Sequence, residues 1–314
     1  MREVYALAAK WLEEGRAFAL ATLVGLRQAA TAPIGTTVAV DAEGSIFGNI
    51  GAGCYESEIV DACRRTAADG VTRRLDVNLT SDDVLLGGTS CGADMQLVTW
   101  RPPQNFSEEA AAIGAGEREA AVRFIYEDEG GRRVEFEHRV APKSRLILIG
   151  ATTLAAELAA IGRRLDFRVV VVDPRPAFAT AERVAGAHEI VRSWPQEYLP
   201  GALDETTPVV VLSHDPKFDL PALRCALRSS APYVGLLGSR RSQAARRDSL
   251  REEGFDEPAL ARIAGPAGLD IGGVTVAETA LSILAEIVAN CRGGAGAPLS
   301  GVAGAIHRRL DGAA

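Results

Sequence analysis

Hydrophobic and polar residues follow different patterns in the two halves of this 314-residue chain. The first half opens with an amphipathic helix pattern over residues 2–14 and continues with short strand-like runs. In the second half, continuous apolar runs of strand length alternate with segments of helical spacing. Strands that are apolar throughout are typical of a parallel sheet covered on both faces. The pattern therefore predicts an α/β protein with an N-terminal α+β domain, including a linker, at 1–143. A C-terminal Rossmann-like domain with a doubly wound parallel sheet is predicted at 144–314.

The clearest βαβ unit lies at the start of the C-terminal half. The run Arg145-Leu-Ile-Leu-Ile-Gly150 predicts a strand, and a second predicted strand stops at Asp173, 23 residues after Gly150. Rossmann units place a ribose-binding carboxylate at about this distance. The glycine fingerprint is incomplete, because Thr152 replaces the middle glycine that lets the backbone approach a pyrophosphate. We expect these positions to face a cofactor (Gly150, Thr152, Thr153 and Asp173).

Further candidates follow other predicted strands, where ligands bind in open α/β sheets. Ser239 would cap a helix that begins with Arg240 and Arg241, so amides, the helix dipole and two guanidinium groups could bind one anion. The alternative is that both arginines are solvated surface groups. His214, beside Asp215, is a candidate cofactor contact or acid–base group, with a structural hydrogen bond as the alternative.

Composition narrows the classes of function. The net charge of −7 argues against a nucleic-acid binder. No apolar run approaches the length of a membrane helix, and the first residues do not resemble a signal peptide. The five cysteines are odd in number and form no CxxC pair, which suits a reducing compartment. We therefore expect a cytoplasmic protein that binds neither nucleic acid nor membrane.

Two of the cysteines lie in glycine-rich turns. Cys54 follows Gly51-Ala-Gly53 at a predicted helix start, where the dipole and free amides favour a thiolate. Cys91 follows a second turn that contains Gly87 and Gly88. Both cysteines are therefore candidate ligands of one metal or sulfur-bearing group. The alternative is that they are small buried hydrophobic residues, as free cysteines usually are.

Several motifs together resemble the XdhC/CoxI family, whose members are accessory proteins for the maturation of molybdenum hydroxylases. The resemblance covers nearly the whole chain. The N-terminal motifs are Gly44-Ser-Ile-Phe-Gly-Asn-Ile-Gly-Ala-Gly53-Cys54-Tyr-Glu56 and Cys91-Gly92. The C-terminal motifs are Val172-Asp-Pro-Arg-Pro176, Ser213-His214-Asp215, Ala231-Pro-Tyr-Val-Gly-Leu-Leu-Gly-Ser-Arg-Arg241 and Gly268-Leu-Asp-Ile-Gly272.

The resemblance implies a non-catalytic factor that binds molybdenum cofactor (molybdopterin), protects it during sulfuration and delivers it to a client hydroxylase. That client would be of the xanthine dehydrogenase or carbon monoxide dehydrogenase type. The family's conserved cysteines map onto Cys54 and Cys91. A cysteine desulfurase is expected as a further partner, and the assembly is expected to be a homodimer.

The chain departs from the family pattern in two loops, which indicates a divergent member. The family's Gly-Ala-Gly-His reads Gly150-Ala-Thr152-Thr153 here, and only Pro33 and Gly35 remain of its motif at 27–35. Two other functions stay open. The βαβ unit alone suggests an NAD(P)-dependent oxidoreductase, and a scaffold that binds only the client would need no cofactor.

Overall fold

The computed structural model describes residues 1–26, 32–50, 56–78 and 94–302. The chain divides into two compact units, whose described parts are 1–142 and 143–302. Within these ranges no helix combines the length and the apolar character needed to cross a membrane.

The N-terminal unit is built on an antiparallel sheet in the order β3-β2-β1-β5-β4. Its strands are β1 (Phe18–Leu26), β2 (Thr37–Asp41), β3 (Ile46–Phe47), β4 (Arg73–Asn78) and β5 (Asp94–Trp100). Its helices are α1 (Arg2–Glu13), α2 (Glu56–Asp69) and α3 (Ser107–Ala115), and β6 (Ala120–Glu127) pairs with β7 (Arg133–Val140) in a separate hairpin.

Alternating side chains of the central strand β1 enter two different cores, as the period of a strand requires. Phe18 and Leu20 pack with buried residues of α1 and α3, whereas Ala19 and Ala21 pack with buried residues of α2. Both faces of the sheet are therefore covered by helices.

The C-terminal unit contains a six-stranded parallel sheet in the order β10-β9-β8-β11-β12-β13. The strands are β8 (Arg145–Ile149), β9 (Arg168–Val172), β10 (Glu189–Val191), β11 (Val209–Val211), β12 (Val234–Leu236) and β13 (Ile263–Ala264). The helices are α4 (Thr153–Arg164), α5 (Pro195–Tyr198), α6 (Pro216–Leu227), α7 (Arg240–Glu252), α8 (Glu257–Ala261) and α9 (Val276–Arg292).

Alternation along β8 again divides the core. Leu146 and Leu148 pack with α4 and α9, and Ile147 and Ile149 pack with α6 on the opposite face. This double coverage explains the continuous apolar runs and confirms the predicted Rossmann-like sheet with an α+β N-terminal region. Because β9 and β11 lie on opposite sides of β8, the strand order changes direction beside β8, and ligands bind at such switch points.

Some predicted boundaries were wrong, and some short elements were missed. Residues 189–194 have a pattern that predicts a strand, but the strand ends at Val191, since Pro195 begins α5. The sequence predicts a helix over 219–229, but this helix starts at Pro216, a position where proline is favoured because its missing amide needs no partner. The helix α3 and the two-residue strand β13 were not predicted, because their patterns are too short or too uniform in alanine.

Candidate cofactor site

The turn after β8 is fixed by Gly150 and Thr152. Gly150 has a φ of 105°, a conformation that favours glycine, and its amide donates to the Val172 carbonyl at 2.9 Å. Thr152 is the N-cap of α4, and its side-chain oxygen accepts from the Ala155 amide at 3.1 Å. The residue that replaces the middle fingerprint glycine thus satisfies an amide that a bound phosphate could otherwise use. Thr153 is exposed at the first helical position.

The carboxylate of Asp173 is buried and fully engaged. Its side chain is 1% exposed, and it accepts from the Ala151 amide at 2.9 Å and from three groups of Arg175. These are the Arg175 amide and Nε, each at 2.9 Å, and Nη2 at 2.7 Å. Burial raises the pKa of Asp173, but the hydrogen bonds from Arg175 and Ala151 outweigh it, so the pKa lies below its ordinary value.

Aromatic side chains flank the Arg175 guanidinium. Its Cζ lies 4.2 Å from the ring centre of Phe178 and 5.0 Å from that of Phe218. Trp194 stacks on Phe218 with ring centres 5.2 Å apart and planes 17° from parallel. The sequence reasoning did not select these aromatic residues. A sequence pattern could have identified them. Aromatic residues make up only 5% of the chain, yet one occurs shortly after each of three different strands here.

The segment after β11 holds Ser213, His214 and Asp215 in different environments. Buried Ser213 accepts from the Asp215 amide at 3.0 Å, and its own amide would lie 3.4 Å from a Cβ at Gly150. Asp215 caps α6 by accepting from the Lys217 amide at 3.0 Å. His214 is exposed, and no hydrogen bond joins its ring to any part of the chain that the structure describes. Its predicted role in cofactor binding stays a prediction.

A buried ion pair that the sequence reasoning missed joins α6 to α7. Asp219 is fully buried, and its Oδ2 accepts from Arg246 Nε at 2.7 Å and from Arg246 Nη2. Its Oδ1 has no hydrogen-bond partner among the described residues. Burial raises the pKa of Asp219 above its ordinary value, although Arg246 acts in the opposite direction.

The start of α7 has the local geometry that the sequence predicted. Ser239 is the N-cap, and its side-chain oxygen accepts from the Ser242 amide at 3.3 Å. Arg240 and Arg241 are exposed, and neither forms an ion pair with a described acidic side chain. Arg246 and Arg251, later on the same helix, do form such pairs. The two guanidinium groups at the helix start are therefore available for an anion.

The predicted ligands Cys54 and Cys91 lie outside the described residues, and so does most of the divergent loop at 27–35. Among the residues that are described, no group of three or more His, Cys, Asp or Glu side chains could hold a metal ion. Of the other cysteines, Cys63 is buried, which raises its pKa to about 12, and Cys291 is exposed.

The fold and this strand edge define a two-unit α/β protein whose Rossmann-like sheet carries an altered glycine turn and an arginine-bearing helix start. Comparison with family models identifies the family. Residues 146–287 match the XdhC Rossmann domain, and residues 11–78 match the XdhC and CoxI family. The chain belongs to the XdhC/CoxI family, as its motifs indicated.

Curated relatives of similar length extend this result. The chain is 25% identical to the molybdenum cofactor insertion chaperone PaoD of Escherichia coli (strain K12), over 91% of this chain and 87% of that protein. It is 23% identical to a probable xanthine dehydrogenase subunit of Bacillus subtilis (strain 168), over 88% of this chain and 94% of the relative. One relative is thus named for cofactor insertion and the other for xanthine dehydrogenase.

A solved structure shows the same fold. The crystal structure of a protein described as a xanthine dehydrogenase from Bacillus halodurans superposes with a TM-score of 0.75 at 19% sequence identity. The match covers 92% of this chain and 96% of that chain. The architecture is therefore shared across nearly the full length of both chains.

Proposed function

We propose that this protein binds molybdenum cofactor, or a related phosphate-bearing cofactor, and delivers it to a molybdenum hydroxylase. The client would be of the xanthine dehydrogenase or carbon monoxide dehydrogenase type. The similarity over 91% of the chain to a molybdenum cofactor insertion chaperone carries this proposal. A cytoplasmic location, a homodimer and a cysteine desulfurase partner stay predictions.

The start of α7 is the proposed contact for the cofactor's phosphate. Arg240 and Arg241 supply two exposed guanidinium groups that are not neutralised by a described carboxylate, and the helix start adds amides and a favourable dipole. In this proposal Cys54 and Cys91 contact the metal end of the cofactor, because thiolates are suitable ligands for a soft metal centre.

An NAD(P)-dependent oxidoreductase is less well supported by the geometry. A ribose at the end of β9 would use the Asp173 carboxylate, which already accepts four hydrogen bonds. The ribose would have to displace Arg175, and a pyrophosphate would meet the Thr152 cap at the start of α4. These contacts favour the maturation role over dinucleotide chemistry.

Cofactor retention tests the proposal. The chain is purified without oxygen from cells that make molybdenum cofactor, and bound molybdenum and pterin are quantified. A charge-assisted hydrogen bond contributes roughly 1.5–3 kcal/mol, so Arg240→Ala or Arg241→Ala should weaken binding by about tenfold or more. Arg251→Ala, on the same helix but paired with Asp248 and Glu257, is the matched control. No retained molybdenum in the wild-type protein would refute the proposal.

A further inference from the structure

A row of stacked side chains lies at the carboxyl ends of β9, β10 and β11. It consists of Arg183, Phe178, Arg175, Phe218 and Trp194, and is called the stacked row below. The Cζ of Arg183 lies 4.8 Å from the ring centre of Phe178, which also contacts Arg175 at 4.2 Å. Arg175 contacts Phe218, and Phe218 stacks on Trp194. Planar groups therefore follow one another without a break.

The stacked row passes over the switch point of the sheet. Arg175 follows β9 and Phe218 follows β11, and β8 lies between these two strands. The contact between the two side chains therefore bridges the carboxyl end of β8. This edge is where an open α/β sheet binds its ligand.

Two aromatic members of the row are exposed. Phe178 and Trp194 are each 38% exposed, and within the described part of the C-terminal unit they are the two exposed aromatic side chains. Exposed aromatic rings at a ligand-binding edge are unusual for packing alone, since burial of their apolar surface would be favourable.

Arg175, at the centre of the row, is held in one orientation, and Asp173 neutralises its charge. Buried Asp173 holds the Arg175 guanidinium by Nε and Nη2, so the plane of the guanidinium is fixed. Its Nη1 donates to no acceptor among the described residues and remains a donor beside the rings. Arg183 forms no described ion pair, so it adds positive charge at the Phe178 end.

We propose that the stacked row binds the planar heteroaromatic ring of a phosphate-bearing ligand. Every heteroaromatic base has a π face, and aromatic rings and guanidinium planes are the groups on which proteins stack bases. Arg175 Nη1 supplies a hydrogen bond to an acceptor at the ring edge, and Arg183 supplies an attractive charge for a phosphate. This inference rests on the proposed function, because it assigns the ring of the proposed cofactor. The ring is a pterin or a nucleobase.

Fluorescence of Trp194 gives a direct assay that needs neither molybdenum nor a client. The other two tryptophans, Trp11 and Trp100, are each 2% exposed, so a ligand cannot stack on them. GMP, AMP, CMP and 6-hydroxymethylpterin are titrated into the full-length protein, with ribose 5-phosphate as the ligand that lacks a ring. We expect quenching by one or more of the ring compounds and none by ribose 5-phosphate. The compound that quenches the fluorescence shows whether the ring is a pterin or a nucleobase.

Variants test the stacking contact by calorimetry. Trp194→Ala should weaken binding of the quenching compound by about tenfold, whereas Trp194→Phe keeps a ring and should bind within about threefold of wild type. Phe178→Leu should also weaken binding. Phe255→Leu is its matched control, since Phe255 likewise lies under an arginine, Arg228, at 5.4 Å. Circular dichroism of each variant verifies that the fold is retained.

The outcomes separate this inference from the proposed function. Unchanged affinity in folded Trp194→Ala and Phe178→Leu, or equal quenching by ribose 5-phosphate, overturns the ring site even if molybdenum is retained. Ring-dependent binding that calorimetry shows to be weakened in Trp194→Ala supports the ring site even if the purified protein holds no molybdenum. Absence of quenching by every ring compound also overturns it.

Discussion

Asp173 and Asp219 show how local hydrogen bonding decides the charge state of a buried carboxyl group. Both are buried and both contact an arginine, yet their pKa values shift in opposite directions. Asp173 also accepts from two backbone amides, which stabilise its ionised form. Asp219 has one oxygen without a described partner, so the cost of burial dominates. Asp173 is therefore stabilised as an anion by several donors, whereas the charge of Asp219 depends on Arg246.

Asp173→Asn should flatten the dependence of stability on acid pH. The folded pKa of Asp173 lies below its ordinary value of 3.8, so its contribution is complete above that pH and is lost as pH falls through the folded pKa. We expect the variant to lose about 1–3 kcal/mol at pH 7, at the lower end because Arg175 is 40% exposed. Urea unfolding between pH 2.5 and 7 measures this. Asp270→Asn, at an exposed aspartate, is the control. A parallel pH dependence in Asp173→Asn and wild type would contradict the expectation.

A second prediction at the scale of residues concerns Cys54 and Cys91, the cysteines of the two glycine-rich turns. If Cys54 and Cys91 contact the metal end of the cofactor, Cys54→Ser and Cys91→Ser should each lose most of the retained molybdenum. Exposed Cys291→Ser is the control and should retain it. Alkylation rates against pH add a second measurement, because a thiolate at a helix start reacts at lower pH, whereas Cys63, with a pKa raised to about 12, stays unreactive. Full retention of molybdenum in both variants would instead support the alternative that Cys54 and Cys91 are small buried hydrophobic residues.

At the scale of elements, the pairing of α6 with α7 depends on Arg246 and Asp219. Arg246→Met leaves the buried Asp219 carboxylate without its charge partner, which should cost about 3–5 kcal/mol. The double variant Asp219→Leu/Arg246→Met removes both charges and should recover most of that loss. Trp194, the only tryptophan of the C-terminal unit, reports its urea unfolding by fluorescence. If Arg246→Met is as stable as wild type, the Asp219–Arg246 pair contributes little to stability.

Elements with strong local patterns could be predicted, and contacts between distant elements could not. The β8-α4-β9 unit follows from long apolar runs, and the cap at Ser239, which is present, follows from local side-chain chemistry. The pair Asp219–Arg246 joins residues 27 positions apart, and the contact of Arg175 with Phe218 joins different strand ends. Neither pairing leaves a periodic signal in the sequence.

At the scale of the whole molecule, the two units correspond to the two family models. The model matched at 11–78 lies in the N-terminal unit, and the one matched at 146–287 lies in the C-terminal unit. Each unit has its own pair of hydrophobic cores. The departures at Thr152 and Thr153 lie in the turn after β8 rather than in these cores, so the fold is retained while this turn differs.

Delivery of the cofactor distinguishes a carrier from a scaffold that binds only the client. A carrier holds the cofactor itself, so preloaded protein freed of unbound cofactor should activate an apo molybdenum hydroxylase with no free cofactor added. A scaffold should act only when free cofactor is supplied. The measurement is molybdenum transferred to the hydroxylase, together with its recovered activity, after the two proteins are separated. Arg240→Ala/Arg241→Ala should transfer less because it retains less, and Arg251→Ala should transfer as wild type does. Activation that requires free cofactor with every variant would assign the protein to the scaffold class, since bound cofactor would then play no part in the transfer.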